Sequence, residues 1–407
     1  MVHWEKMPFP DKALPIFQPA PYKVFYGGRG SSKTWSFCRA LLLLGSRKKL
    51  FILCAREIQK SIADSVHKVL CDQIEDLGLS WFYKPTAHAI HGMNGTYFTF
   101  EGIKMNIAKI KSMEAIDICA VFEATFVSHH SWEVLLPTVR RDPPHGPFDK
   151  GSEVWVEFNP ELATDETYTR WVLDPPAGTV KVEMNFRDNP WFPEILEKQK
   201  EELKRKDYES YLTVWEGKTR KSLEGAIYSR EIAAATTEGR ISPDVRHDRA
   251  KPTHVSFDLG YSDMCAMWFM QQQGMQHIAI DYYSGVGEGF EHYLQEIQNR
   301  KYLIGTIYLP HDARNQTIGA PLSIEMQARD AYPGDGRVKI VPRIPNVTLG
   351  INVVRNLFPR MTFHEKNCAD GLMALQHYQY GVNADTGQRT VYPLHNWASN
   401  GADALRT

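Results

Sequence analysis

An apolar, β-prone run, YKVFY (residues 22–26), passes directly into the glycine-rich stretch GGRGSSKT (residues 27–34) and on into TWSFCRALLLLGSRK, whose apolar residues recur at helical spacing. A strand that empties through glycines into a helix limits what can be built around it. The glycines let successive backbone N–H groups turn toward one point, and the helix N-terminus adds its dipole, so the junction is shaped to cradle an anion. KLFILCAR (residues 49–56) reads as the next buried strand. The resulting strand–helix–strand unit predicts a parallel sheet with helices on its faces, an α/β fold.

The loop nearly matches the phosphate-binding pattern G-x-x-x-x-G-K-[ST], with Ser32 where the second glycine of the pattern stands. Gly27, Gly28, Arg29, Gly30, Ser31, Ser32, Lys33 and Thr34 are the expected nucleotide-binding residues for ATP. Lys33 supplies a point charge for the β and γ phosphates, and Thr34 a hydroxyl for Mg²⁺. Such a site also needs an acid at the end of a neighbouring strand, and Glu123, closing IDICAVFEA (residues 116–124), is the candidate. Phe122 precedes it, so a paired acid is reduced to one carboxylate, and Asp117 lies too early in the strand to help. Arg29 either stabilises charge on the leaving phosphoryl group or braces the loop through a salt bridge. Asn159, after the strand EVWVEF, either couples the γ-phosphate to movement or forms a turn before Pro160. Phe17, Gln18 and Tyr22 precede the loop, where they would either contact an adenine or simply pack.

A chain of 407 residues is long for one core and predicts two domains. The charged, turn-rich stretch GRISPDVRHDRAKP (residues 239–252) marks the division, giving a first domain over 1–220, a linker over 221–250 and a second domain over 251–407. Net charge is −1, so any nucleic-acid surface must come from clustering rather than excess of basic residues. The six cysteines show no CxxC pair, so neither disulfides nor structural zinc are expected. The amino terminus lacks a signal-peptide layout, and the longest apolar run, residues 40–44, cannot span a bilayer; a cytoplasmic protein is expected. The charged stretch 192–211 reads as a helix, solvated or facing a partner.

In the second domain, Asp258 follows the strand HVSF, Asp312 ends IGTIYLPHD, and Asp403 lies in SNGADALR, where small residues would let a helix approach the sheet. Three acids at strand and helix ends suit a metal-dependent nuclease, in which two Mg²⁺ or Mn²⁺ ions flank a scissile phosphate. Asp263 stands at the turn after Asp258, and His311 beside Asp312 is expected to pack rather than bind metal.

Taken in order, YKVFYGGRGSSKT, LCAREIQKSIADSV, the acidic strand followed by SWEVLLPTVRR, VEFNP, DLGYSD, YLPHDA and HNWASNGADALR resemble the large terminase subunit of tailed phages over nearly the whole chain. The resemblance implies an amino-terminal P-loop packaging ATPase followed by a ribonuclease H-like nuclease. It implies translocation of double-stranded DNA into a procapsid and cutting of concatemers, with a small terminase subunit and a portal ring as partners. Oligomers would form only on the portal, and the place of action would be the host cytoplasm and, transiently, the procapsid portal. It carries Lys33, Thr34 and Glu123 as ATPase residues, Asp258, Asp312 and Asp403 as metal-binding carboxylates, and Arg29 and Asn159 as finger and coupling residues. Phe122, Asn396 and Asn400 depart from the family pattern. The competing readings are a P-loop helicase or recombination ATPase fused to a nuclease, and a non-enzymatic, nucleotide-locked assembly protein.

Overall fold

Val24 and Phe25 of β1 (Tyr22–Tyr26) are both fully buried but belong to different apolar clusters, so this strand runs through a sheet covered on both faces. That is the setting a continuous apolar run calls for. The computed structural model describes residues 8–57, 63–104, 107–220, 225–260, 263–315, 322–343, 346–382 and 389–407. They divide into two units, Met1–Lys221 and Ser222–Thr407.

The first unit holds β1 with β2 (Phe51–Arg56), β3 (Tyr83–Pro85), β4 (Ala89–Gly92), β5 (Tyr97–Gly102), β6 (Ile118–Val121), β7 (Glu153–Phe158) and β8 (Thr179–Glu183), in the spatial order β3-β4-β5-β2-β6-β7-β1-β8. From β5 to β8 every pairing is parallel, while β3 and β4 extend the edge antiparallel. The helix Lys33–Arg47 lays Phe37, Leu41 and Leu44 against one face, and Trp132, Leu135 and Trp171 cover the other. This is a P-loop NTPase sheet, with the glycine loop at its carboxyl edge, where ligands bind in open α/β sheets. The short β3–β5 edge and β8 did not announce themselves in the sequence. The expected helix over 192–211 is two helices, Glu194–Lys206 and Tyr208–Val214, broken at Asp207, whose carboxylate caps the second through the Ser210 N–H at 2.9 Å.

In the second unit β10 (Thr253–Asp258), β11 (Met264–Gln273) and β12 (Gln276–Val286) run antiparallel, and β13 (Ile304–Leu309) and β14 (Val338–Ile340) add parallel beside β10. β15 (Met361–His364) and β9 (Ile241–Ser242) close the far edge, giving the order β14-β13-β10-β11-β12-β15-β9. Three antiparallel strands with two parallel ones beside the first make a ribonuclease H-like sheet, covered by one apolar cluster on each face.

The linker expected over 221–250 is corrected here. Its described part carries the helix Ser229–Thr237 and β9, and Ile227, Tyr228, Ile232 and Ala235 are buried with Phe358 and Tyr378 in the second unit's core. Charge in the flanking turns hid a short apolar stripe, which is enough to anchor one helix. Among the described residues no helix is long and apolar enough to cross a membrane, and all six cysteines are free.

At the amino end of β1 an ion pair is buried in the sheet. Lys23 Nζ lies 2.6 Å from Glu153 Oε2 with both side chains almost wholly covered, and Glu153 also accepts the Ala20 N–H and the Trp155 indole N–H. Burial pushes Lys23 down to about 8 although Glu153 pulls it up, and burial raises Glu153 in turn. Removing one partner strands the other, so Lys23→Ala should cost about 3–5 kcal/mol in chemical denaturation of the first unit. Lys23→Met combined with Glu153→Gln, whose single amide oxygen keeps an acceptor for one of the two N–H groups, should recover part of that loss.

Candidate nucleotide and carboxylate sites

The carboxyl ends of β1, β6 and β7 meet at one level. Tyr26 is in register with Phe158, and Val121 with Val156, so Gly27 and Asn159 emerge side by side with Glu123 one residue below them. Gly27 has a φ of +132°, and a Cβ there would fall 2.0 Å from the Met184 carbonyl oxygen; a side chain fits neither the conformation nor the space. Ser32, at the glycine position of the pattern, is left-handed with a φ of 62°, a conformation that costs a non-glycine residue about 1–2 kcal/mol.

The loop closes around Lys33. Its Nζ donates to the carbonyls of Gly27 (3.1 Å) and Gly28 (2.9 Å), to Ser31 Oγ (2.9 Å) and to Asn159 Oδ1 (2.8 Å). Burial pushes Lys33 down to about 8, and nearby Glu157 pulls it back up. Thr34 Oγ1 donates to Glu157 Oε1 at 3.0 Å, and the Glu123 backbone N–H reaches the same oxygen at 3.2 Å. Glu123 itself turns out of β6 at a φ of 48°, with its carboxylate largely exposed and in close contact with the buried guanidinium of Arg56 at the end of β2. Asn159 joins the lysine to the next loop, because its carbonyl accepts the Thr125 hydroxyl at 2.9 Å.

These groups line a cleft of about 620 Å³ together with Arg29, Trp35, Thr213 and Val214. That volume suits a nucleotide-sized ligand. Arg29 is exposed and anchored by its backbone N–H on the Val214 carbonyl at 2.7 Å, and it forms no ion pair among the described residues. Phe17 and Tyr22, two of the three residues considered for the adenine, pack against Phe9 and Trp171 instead. Asp117 sits at the opposite end of β6, taken by the Phe51 N–H and Arg141. Glu157 and Arg56 were not anticipated. The available signal was alternation in EVWVEF, which puts Glu157 on the same face as Trp155, toward the helix that begins at Lys33.

In the second unit Asp258 ends β10, and Asp312 opens the single turn His311–Arg314 that follows the neighbouring parallel strand β13. Asp403 comes from the helix Trp397–Arg406, which approaches closely enough for its Gly401 carbonyl to accept the Trp268 indole N–H at 2.8 Å. A Cβ on Gly401 would fall 2.8 Å from Ala374 Cβ, so the small residue is what admits the helix. Asp258 is pushed up to about 7, first by burial and then by the charge of Asp403, against a hydrogen bond from Asn400 Nδ2 at 3.2 Å. Burial also raises Asp403, which Arg406 and the Tyr378 hydroxyl hold in part. Asp258 and Asp403 therefore fit a cation between them. Asp312 is exposed on the same rim, and among the described residues no three metal-ligating side chains form a ready group. Asp263 faces His395 at 2.9 Å. Asn396 spends its side chain capping the last helix, whereas Asn400 is buried against Asp258 with its own Oδ1 unpaired.

Residues 20–218 match the profile of the family described as phage terminase large subunit. The match takes in just under half of the chain. The PBSX phage terminase large subunit of Bacillus subtilis (strain 168) is 25% identical over 218 residues, covering 48% of this chain and 49% of the relative, so the chain spans about half of that relative's length. Among solved structures, the large terminase of a thermophilic bacteriophage is similar over 98% of both chains at 15% identity and a TM-score of 0.46. The HK97 bacteriophage large terminase is similar over 97% of this chain and 92% of that one, at 11% identity and a TM-score of 0.40. The glycine loop, Glu123, Glu157 and Asn159 all fall within the terminase segment, and the three aspartates lie beyond it.

Because Asp258 binds its proton more tightly in the folded protein than in the unfolded chain, its contribution is complete below the ordinary carboxylate range and is lost as pH rises to about 7. In chelator, the second unit should lose stability between about pH 4 and 7, by about 1.4 kcal/mol per pH unit at the steepest. Asp258→Asn should flatten that slope in a series of melting curves; an unchanged slope would show that Asp258 is not the group whose proton burial and Asp403 hold.

Proposed function

We propose that this chain is a large terminase subunit that couples ATP hydrolysis to translocation of double-stranded DNA into a procapsid and cuts concatemeric DNA with a metal-dependent endonuclease. The observation that carries the reading is the meeting of Lys33, Thr34, Glu123 and Asn159 at one sheet edge, inside the segment that matches the family. In this reading the first unit is the ATPase. Lys33 exchanges its carbonyl and amide partners for the β and γ phosphates, and Glu123 swings from Arg56 to orient the attacking water. Arg29, free to move on the rim, stabilises charge on the leaving group. Asn159 senses the change at Lys33 and passes it to the loop at Thr125. A bound Mg²⁺ would supply charge neutralisation between the phosphates, held from the Thr34 side.

The second unit is the proposed nuclease, with Asp258 and Asp403 as the paired carboxylates and Asp312 as the third, together holding two Mg²⁺ or Mn²⁺ ions that position a scissile phosphate. Grip on the duplex would be mainly phosphate contact and hence salt-sensitive. A small terminase subunit and a portal ring are the proposed partners, with assembly into a ring confined to the portal and action in the host cytoplasm.

Steady ATP hydrolysis should fall by about 100-fold or more in Lys33→Ala and in Glu123→Gln, with nucleotide binding kept in the second variant. Metal-dependent plasmid cleavage should persist in both and disappear in Asp258→Asn. Hydrolysis that survives Lys33→Ala would sink the motor assignment, and undiminished cutting by Asp258→Asn would sink the nuclease.

A further inference from the structure

The geometry points to Glu157 as the Mg²⁺-side carboxylate of the nucleotide site, delivered from β7 in place of the acid that Phe122 displaces on β6. The inference rests on the nucleotide reading above and names a residue that the loop pattern does not predict. Three observations carry it. First, β6 and β7 are parallel with Val121 opposite Val156, which sets Phe122 and Glu157 at the same level on adjacent strands. Second, both side chains leave the sheet on the face that carries the phosphate-loop helix: Phe122 lies edge-on to Phe37 of that helix at 6.1 Å, as does Trp155, two residues before Glu157, at 5.4 Å. An acid at 122 would stand where that phenyl ring now packs.

Third, Glu157 already holds the one hydroxyl the loop offers to a metal, with Oε1 3.0 Å from Thr34 Oγ1, and the Glu123 N–H on the same oxygen. A carboxylate this deeply buried is costly unless it has work to do with cations. Those facing it are Lys33 from the loop and Arg56 from β2, whose charges both act on it. Adjacent parallel strands are about 4.8 Å apart, so the acid moves by one strand spacing, a shift that a glutamate's longer reach or an intervening water spans. Glu123 is thereby released to act on water alone.

The test is binding of a fluorescent ADP analogue to the full chain with Mg²⁺ and with EDTA. Wild type should bind more tightly with Mg²⁺. Glu157→Gln, which keeps the side-chain shape and an acceptor for Thr34, should bind the nucleotide in EDTA as wild type does but lose the Mg²⁺-dependent gain by about 10- to 100-fold. Mn²⁺ electron paramagnetic resonance with ADP should show the same loss. Phe122→Asp in the Glu157→Gln background should restore part of the gain. An undiminished gain in Glu157→Gln would overturn the assignment, as would loss of binding in EDTA as well, which would make Glu157 a brace of the loop. A wild-type chain that binds no nucleotide under either condition would instead remove the nucleotide reading on which the assignment rests.

Discussion

A lysine and a glutamate buried within reach of each other's field, beneath a loop of glycines, are the constraint from which the first unit's geometry follows. Withdrawing either charge from water costs several kcal/mol, and mutual attraction alone does not return it unless the remaining donors and acceptors are satisfied. Lys33 has four acceptors, and Glu157 takes the Thr34 hydroxyl and the Glu123 N–H on one oxygen, with the charges of Lys33 and Arg56 acting on it. The arrangement sets the rotation of the helix Lys33–Arg47. With Lys33 on Asn159 and Thr34 on Glu157, Phe37 one turn further meets Phe122 and Trp155. Turning the helix would leave two charges unpaired and open the aromatic cluster together, so loop, helix and three strand ends are held as one piece. A strained Ser32 is a small cost beside that.

How much of this the sequence disclosed depends on how local the cause was. β1, the loop and its helix were legible because each is dictated within a few residues: a β-prone run, glycines, then helical periodicity. The core strands β2 and β6 were legible because burial on both faces demands apolar runs, and β7 because Val154, Trp155 and Val156 form a β-prone run between its two glutamates. The β3–β5 edge was not, because its strands are three to six residues long and draw their stability from pairing with β2 rather than from their own composition. The stretch 225–242 was misread for a related reason. Four buried residues, Ile227, Tyr228, Ile232 and Ala235, dock it on the second core, and their effect is invisible among the charges around them. Glu157 stayed hidden because its role depends on a neighbouring strand's register.

The second unit solves a similar electrostatic problem differently. In the first, the buried carboxylate faces a lysine of the same site, so the folded chain supplies most of its own compensation. In the second, Asp258 faces another carboxylate, and among the described residues it is offset by the amide of Asn400 and the charge of Arg406, which also pairs with Asp403. Asp258 is accordingly held up to about 7 and Glu157 is raised against strong counter-charges. A site that leaves like charges facing each other is stabilised by a cation from solution, and occupancy there would displace a proton from Asp258 as it binds. The helix carrying Asp403 packs closely on the helix Ala369–His377, where Gly401 presents no side chain to Ala374, so the repulsion is built into the packing.

Moving an acid from one strand to the next works only under strict conditions of phase. Side chains alternate across a strand, so residue 156 or 158 would project from the opposite face, where Val156 and Phe158 join the cluster around Trp132 and Trp171. Residue 155 shares the right face but lies one pleat further from the loop, and it is a tryptophan packed on Phe37. Position 157 alone on β7 combines the face, the level of Phe122 and contact with Thr34. The exchange also suits the core, since the phenyl ring at 122 adds apolar contact with Phe37 where a carboxylate would need its own partners. A phosphate-loop ATPase can therefore lose the first acid of its usual pair while keeping its metal side, provided the strand between that acid and β1 carries a carboxylate in phase.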